Sequence, residues 1–310
     1  MTQVSTGRLV AAQLPTLDVG TASSAGVREH NEDRVETRQT AQRLIALIAD
    51  GMGGGDIGAA MSDQVIKIAA ESLQSSGKDT VENELRQAFQ AANQAIQNFR
   101  QLHDRYAKSG STLTGAIIQV NSQGTIAHLG HVGDSRAYLV NGPKIKQLSR
   151  DHNVYEDLRS RGVAADQARK DPNARKLTYC LGSSQDVVTA PHFYTQQSLQ
   201  PGDTLILCTD GVSEFVAPAT LGEIVGANHS AERIAQKLVG LALKQGSTDN
   251  ASCVVVRYAP PRAFPLGRLL LGVLLALALA SGAWAAATNN WFGADQPDQP
   301  ALGGQTSATI

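Results

Sequence analysis

The stretch "RLIALIADGMGGGD", residues 43–56, decides how this chain is built. Its first seven residues are almost wholly apolar. Successive side chains of a strand point to opposite faces, so a strand without polar alternation needs cover on both of them. The run ends on Asp50 followed by Gly51, and after a glycine turn the pattern over 57–76 becomes helical. A second helix is expected over 80–106, where Val81, Leu85, Phe89, Ala92, Ile96 and Phe99 recur at steps of three and four.

Strand patterns dominate the rest. They are expected at 16–23, 113–120, 125–132, 136–140, 144–149, 187–194, 204–209 and 251–258, with a helix across 230–245. "NSQG" and "NGP" supply turn chemistry between strands. Residues 153–178 are polar and charged with a weak helical pattern, as in an inserted flap. Helices and antiparallel-type strands fall in blocks, which predicts an α+β fold with sheets at the core and paired helices outside.

Composition narrows the function. A net charge of −1 and 5% aromatics disfavour a nucleic-acid partner, which calls for a basic surplus or stacking platforms. The three cysteines, Cys180, Cys208 and Cys253, give no disulfide framework and suit a reducing compartment. Cys208 and Cys253 sit in strand patterns and read as small core residues. Residues 269–287 hold nineteen uncharged positions, the length that crosses a bilayer core of about 30 Å. Arg262 and Arg268 before the span, and Trp284 and Trp291 near its far end, predict one crossing with the N-terminal part in the cytoplasm. The expected plan is a flexible leader (1–16), a catalytic domain (17–258), a proline-rich linker (259–268), a transmembrane helix (269–287) and a short polar tail (288–310).

Strand-end carboxylates carry the chemistry. Apolar strands run into Asp50, Asp134 and Asp210, and Asp249 stands just before another strand. Glu32 and Asp33 lie upstream in "VREHNEDR", residues 27–34. Carboxylates gathered at sheet ends repel unless they share cations. All-oxygen ligation selects hard ions, Mg2+ or Mn2+, over zinc. His128 and His131 are three apart on one strand and face opposite sides, while His30 and His152 lack partners at zinc spacing. A paired-metal carboxylate site suits hydrolysis of a phosphate ester, with Arg28 as the planar fork for phosphate oxygens.

The motifs "REHNEDR", "DGMGGG", "GSTLTG", "VGDSRAYL", "LSRDH", "LTYCLG", "CTDGVSE" and "STDN" run in the order and rough spacing of one family. Over about residues 17–258 the chain resembles the bacterial metal-dependent protein phosphatases, the PPM or type 2C family. That resemblance implies a four-layer α/β/β/α sandwich, two antiparallel sheets flanked by helices. It implies phosphoserine and phosphothreonine proteins as substrates, a bacterial serine/threonine kinase as the opposing partner, and attack by a metal-bridging hydroxide. By its motifs Asp50 bridges both metals, with Glu32 and the Gly51 carbonyl on one ion and Asp210 and Asp249 on the other. Asp33 is similar to the acid that holds metal-bound water, Asp134 to the ligand of a third, weaker ion, and Arg28 to the phosphate-gripping arginine. Met52 follows Asp50-Gly51 where animal members often carry histidine, and a thioether cannot donate a proton. The rival readings are a phosphoprotein-binding pseudophosphatase and a metal-dependent phosphodiesterase.

Overall fold

In the computed structural model, residues 17–259 are described, apart from 41, 76–78, 103, 122–123 and 228. The expected leader, the membrane span at 269–287, the tail, and all of the linker but its first residue lie outside the described residues. Among the described residues no helix is long and apolar enough to cross a membrane.

Strand β3 (Arg43–Met52) shows why its run lacks polar alternation. Ile45, Leu47 and Ala49 pack under helices α1 (Asp56–Ser75) and α2 (Val81–Leu102). The alternate residues Leu44, Ala46 and Ile48 face the other sheet. All six are at most 4% exposed, so both faces of the strand are core.

Two antiparallel sheets result. One holds β2 (Asp33–Gln39), β3, β5 (Leu113–Asn121), β6 (Gly124–Val132) and β9 (Tyr194–Leu199) in that order, with the two-residue β4 (Gly110–Ser111) paired to the end of β3. The other runs β1 (Leu17–Ser24), β11 (Ala251–Tyr258), β10 (Thr204–Cys208), β7 (Arg136–Asn141) and β8 (Lys144–Gln147). Leu205, Leu207, Val254 and Val256 of the second sheet meet the inner face of the first. On its outer face Ile206, Cys208, Cys253 and Val255 pack against α6 (Pro218–Gly226) and α7 (Ala231–Lys244). Three apolar interfaces thus separate four layers, the α/β/β/α order the resemblance implied. Cys208 and Cys253 are fully buried, and burial pushes both thiols well up, which suits small core residues.

Three local expectations need correction. β2 was not expected, because "DRVETRQ" is mostly polar; it is an edge strand whose middle residues are only half-buried. The strand expected at 187–194 is a short 3-10 turn, Val187–Thr189, capped by the Asp186 side chain, and the strand itself is β9. Its residues "YTQQSL" are polar because β9 is the opposite edge of the same sheet. Helix α6 was missed as well; nine residues beginning with proline carry little periodicity. The segment expected as a flap contains two short helices, α3 (Val154–Ser160) and α4 (Ala165–Arg169), closed at its base by a bridge between Asn153 and Leu177.

Candidate metal centre

The candidate carboxylates come from both sheets, at one end of the sandwich. Asp33 opens β2 and is the register partner of Asp50 near the end of β3. Asp134 stands in the turn between β6 and β7, Asp210 follows β10 by one residue, Thr209, as the first residue of the short helix α5 (Asp210–Ser213), and Asp249 precedes β11. Sequence neighbours play no part in this gathering; strand pairing and sheet stacking do.

Burial and neighbouring charge act on these acids together. Burial raises the Asp33 carboxyl to about 7, against hydrogen bonds that lower it, with Asp210 and Asp249 raising it further. Asp50 is pushed well above the usual carboxylate range, first by burial and then by Asp33, Asp210, Asp134 and Asp249. Asp134 rises to about 8 and Asp210 to about 6, burial again leading, with Asp210 acting on Asp134 and Asp249 on Asp210. Asp33 is 2% exposed, whereas Asp50, Asp134, Asp210 and Asp249 each keep some surface toward solvent. Acids that repel one another this way call for cations.

The loop of residues 25–32 is fastened by Asn250. Its Nδ2 donates to the carbonyls of Ala25 (3.0 Å) and His30 (2.9 Å), and its Oδ1 accepts from the Glu32 N–H (2.8 Å). This role was not foreseen, although Asn250 closes the quoted "STDN"; only the fold brings it against residues more than two hundred positions upstream. Thr209 Oγ1 donates to Asp33 Oδ2 at 2.9 Å. Ser111 Oγ donates to the Asp50 carbonyl and Thr112 Oγ1 accepts from the Asp50 N–H, both at 2.9 Å. These hydroxyls of "GSTLTG" hold the Asp50 backbone in place, a second role that sequence reading left blank. Arg28 Nη2 lies 2.8 Å from Asp249 Oδ2, with its side chain 45% exposed, so the guanidinium sits at the rim of the acid cluster.

Glu32 makes a different contact from the carboxylates. It is 7% exposed, and its carboxylate accepts from the N–H groups of Gly55 (2.8 Å) and Gly54 (3.2 Å). It therefore anchors the glycine turn in which Gly53, Gly54 and Gly55 all take positive φ. Gly51 and Gly58 allow the backbones to close here: a Cβ on Gly51 would stand 2.0 Å from the Gly58 carbonyl oxygen.

The histidines serve packing. The His131 and His152 rings lie 4.8 Å apart between centroids. His131 meets Thr114 Oγ1 and the Arg150 carbonyl, and burial lowers it to about 3. His152 Nδ1 accepts from the Gly133 N–H, which puts its proton on Nε2, 2.7 Å from the Pro191 carbonyl oxygen. Both stay neutral and shape the turn that carries Asp134.

The residues fit hard divalent ions. Asp210 Oδ1 is buried with no hydrogen-bond partner among the described residues, an orphan that a cation satisfies. No group of three or more His, Cys, Asp or Glu among the described residues forms a ready cage. Mg2+ needs none, since it keeps several waters and takes one or two carboxylates.

The chain is similar to known proteins over most of its described residues. The profile of the family described as protein phosphatase 2C matches residues 20–251. The serine/threonine phosphatase stp of Listeria innocua is 29% identical over 236 residues, 74% of this chain and 91% of that protein. The serine/threonine protein phosphatase PstP of Mycobacterium tuberculosis is 31% identical over 230 residues, 74% of this chain and 42% of that one. A crystal structure of the PstP catalytic domain in complex with two manganese ions superposes with a TM-score of 0.64 at 28% identity, covering 79% of this chain and all of that one. The serine/threonine phosphatase of S. agalactiae, at 22% identity and a TM-score of 0.72, covers 78% of this chain and 99% of that one and shares the fold.

Proposed function

The chain belongs to the protein phosphatase 2C family, and from that premise we propose that it hydrolyses phosphoserine and phosphothreonine on proteins with Mn2+ or Mg2+. The observation that carries the reading is a set of strand-end acids drawn from both sheets: Asp33 stands opposite Asp50 in the β2–β3 register, Asp210 Oδ1 is buried without a partner among the described residues, and burial together with the charges of Asp33, Asp210, Asp134 and Asp249 raises the Asp50 carboxyl. A dead binding module has no need to keep so costly a set of mutually repelling acids. When bound, a pair of divalent ions supplies Lewis acidity and an activated water for in-line attack on phosphorus.

The chain's own groups do the rest. Asp50 holds the position between the two sides of the cluster, with its backbone fixed by Ser111 and Thr112. Asp210 and Asp249 would hold one ion, and the Gly51 carbonyl the other. Glu32 would serve that second ion as well, its carboxylate also accepting from Gly54 and Gly55, and Asp33, oriented by Thr209, would hold water bound to the ions. Asp134 would hold a third, weaker ion. Arg28 grips the phosphate oxygens bidentately at the rim. Met52 gives no proton to the leaving group.

The same proposal places the enzyme at the cytoplasmic membrane through residues 269–287, opposing a serine/threonine kinase in the cytoplasm. It rests on the uncharged run and on Arg262 and Arg268 before it.

The test compares the full chain and its Asp50→Ala variant on a phosphothreonine peptide and a cyclic dinucleotide, with Mn2+ or EDTA. Peptide turnover that needs Mn2+, falls at least tenfold in the variant (about 1.4 kcal/mol of barrier) and exceeds dinucleotide turnover is expected. Turnover insensitive to EDTA, or retained by Asp50→Ala at saturating Mn2+, refutes the assignment. Carbonate-resistant sedimentation with membranes checks the tether.

A further inference from the structure

Between the flap helices and α5 lies a groove of about 610 Å3, lined in part by Arg136, Arg169, Arg175, Tyr155, Ser213 and Glu214. Two of its lining residues follow acids of the metal centre closely in the chain. Arg136 is two residues beyond Asp134, and Ser213 is one helical turn beyond Asp210. The charge of Arg136 acts on Asp134, and that of Glu214 on Asp210.

The three arginines are held differently. Arg136 is committed to the buried Asp151, with Nη2–Oδ2 at 2.7 Å, and its positive charge is fixed in the wall. Arg175 pairs with Glu214 at 3.0 Å, but its side chain is 83% exposed. Arg169 stands 5.9 Å over the Tyr155 ring and meets the exposed Asp166 at 3.5 Å. Exposed pairs of this kind contribute little, so an incoming anion replaces their partners at small cost. A second observation points to a ligand independently. The Ser213 hydroxyl is buried, with its residue 9% exposed, and has no partner among the described residues. Buried hydroxyls normally have one.

We propose that this groove takes an anionic side chain of the substrate, an aspartate, a glutamate or a second phosphorylated residue, a few positions from the phosphoresidue in the metal centre. Arg175 and Arg169 supply the charge, and Ser213 donates the hydrogen bond. Each residue of an extended segment advances about 3.3 Å, so residues a few positions from the phosphorylated one can extend to a groove whose Arg136 and Ser213 lie two and three positions beyond Asp134 and Asp210. The proposal rests on the phosphatase reading and gives it a sequence preference, acidic rather than basic flanks.

The experiment uses the full chain with Mn2+ and one phosphothreonine peptide in four forms. Its flanking positions carry alanine, aspartate, lysine or a non-hydrolysable phosphoserine analogue, the aspartate and phosphoserine arms separating carboxylate from phosphate recognition. Expected is a kcat/KM about three- to tenfold higher for either acidic form than for alanine, expressed in KM and shrinking as salt rises. Arg175→Glu should turn the preference toward the lysine peptide, and Arg169→Ala should weaken it. Equal kcat/KM across the four peptides, or a preference untouched by both exposed substitutions, overturns the groove. Turnover of para-nitrophenyl phosphate, which has no flanking residues, reports the metal centre separately. A chain inactive on every substrate that still binds acidic peptides more tightly by fluorescence anisotropy would refute the phosphatase reading and keep the groove.

Discussion

Gly58→Ala is expected to destabilise the protein through Glu32, although alanine is the better helix former. Gly58 is the third residue of α1, and a Cβ there would stand 1.6 Å from Glu32 Oε2, 2.5 Å from its Cδ and 2.9 Å from the Gly51 carbonyl oxygen. The carboxylate must therefore leave, and the hydrogen bonds from Gly54 and Gly55 go with it. Bonds to a charged acceptor contribute about 1.5–3 kcal/mol each, so roughly 3–6 kcal/mol is lost. Replacing glycine in a helix returns about 1 kcal/mol. The net cost is about 2–5 kcal/mol, or roughly 5–15 °C in Tm for a domain of this size. In a Glu32→Ala background those bonds are already absent, and Gly58→Ala should cost clearly less, since only the 2.9 Å approach to the Gly51 carbonyl oxygen is left to relieve. Urea unfolding of the wild type, both single variants and the double variant in EDTA gives the coupling directly. If Gly58→Ala costs the same with and without Glu32, the carboxylate is not what the missing side chain makes room for, and the reasoning fails.

Without metal, stability should fall as pH rises from 6.5 to 8.5, because Asp33 (about 7) and Asp134 (about 8) bind protons in the folded state that the unfolded chain has already released. Below 6.5, neutral buried His131 and His152 work in the opposite direction, since the unfolded chain gains protons there. Saturating Mn2+ should remove the decline by binding the ionised acids. A urea midpoint in EDTA that is flat or rises between those pH values refutes this. Asn250→Ala deletes three hydrogen bonds of the 25–32 loop and should cost about 3 kcal/mol at about 1 kcal/mol each. Asn250→Asp, which keeps only the acceptor, should lie between, and identical melts for the two variants would count against the loop-fastening role. Arg28→Ala should lower kcat/KM on phosphopeptides by about 2–4 kcal/mol of transition-state stabilisation. Mn2+ affinity by calorimetry should change little, and the reverse pattern would exchange the roles of Arg28 and Asp249.

Much of this molecule was legible from its residues alone. An apolar run such as 44–49 can only be a strand covered on both faces, and its Asp50-Gly51 end marked where a site begins. Helix α2 announced itself through Leu85, Phe89, Ala92 and Ile96, all fully buried as their spacing requires. Strands at sheet edges did not announce themselves. β2 and β9 owe their conformation to hydrogen bonds from one neighbour and bury too little side chain to need an apolar pattern. The motif acids were nameable one by one, but their mutual repulsion arises only when the β2–β3 register sets Asp33 against Asp50 and the stacked sheet brings Asp210 and Asp249 across. Neither the importance of Gly58 nor that of Asn250 was read from the sequence. Their importance lies in what the tertiary structure lays against them, a carboxylate in one case and a loop from the far end of the chain in the other. Local pattern determines which segments are helix or strand, because it expresses each segment's own demand for burial. Contacts between distant segments decide which polar groups meet, and no single segment carries that information.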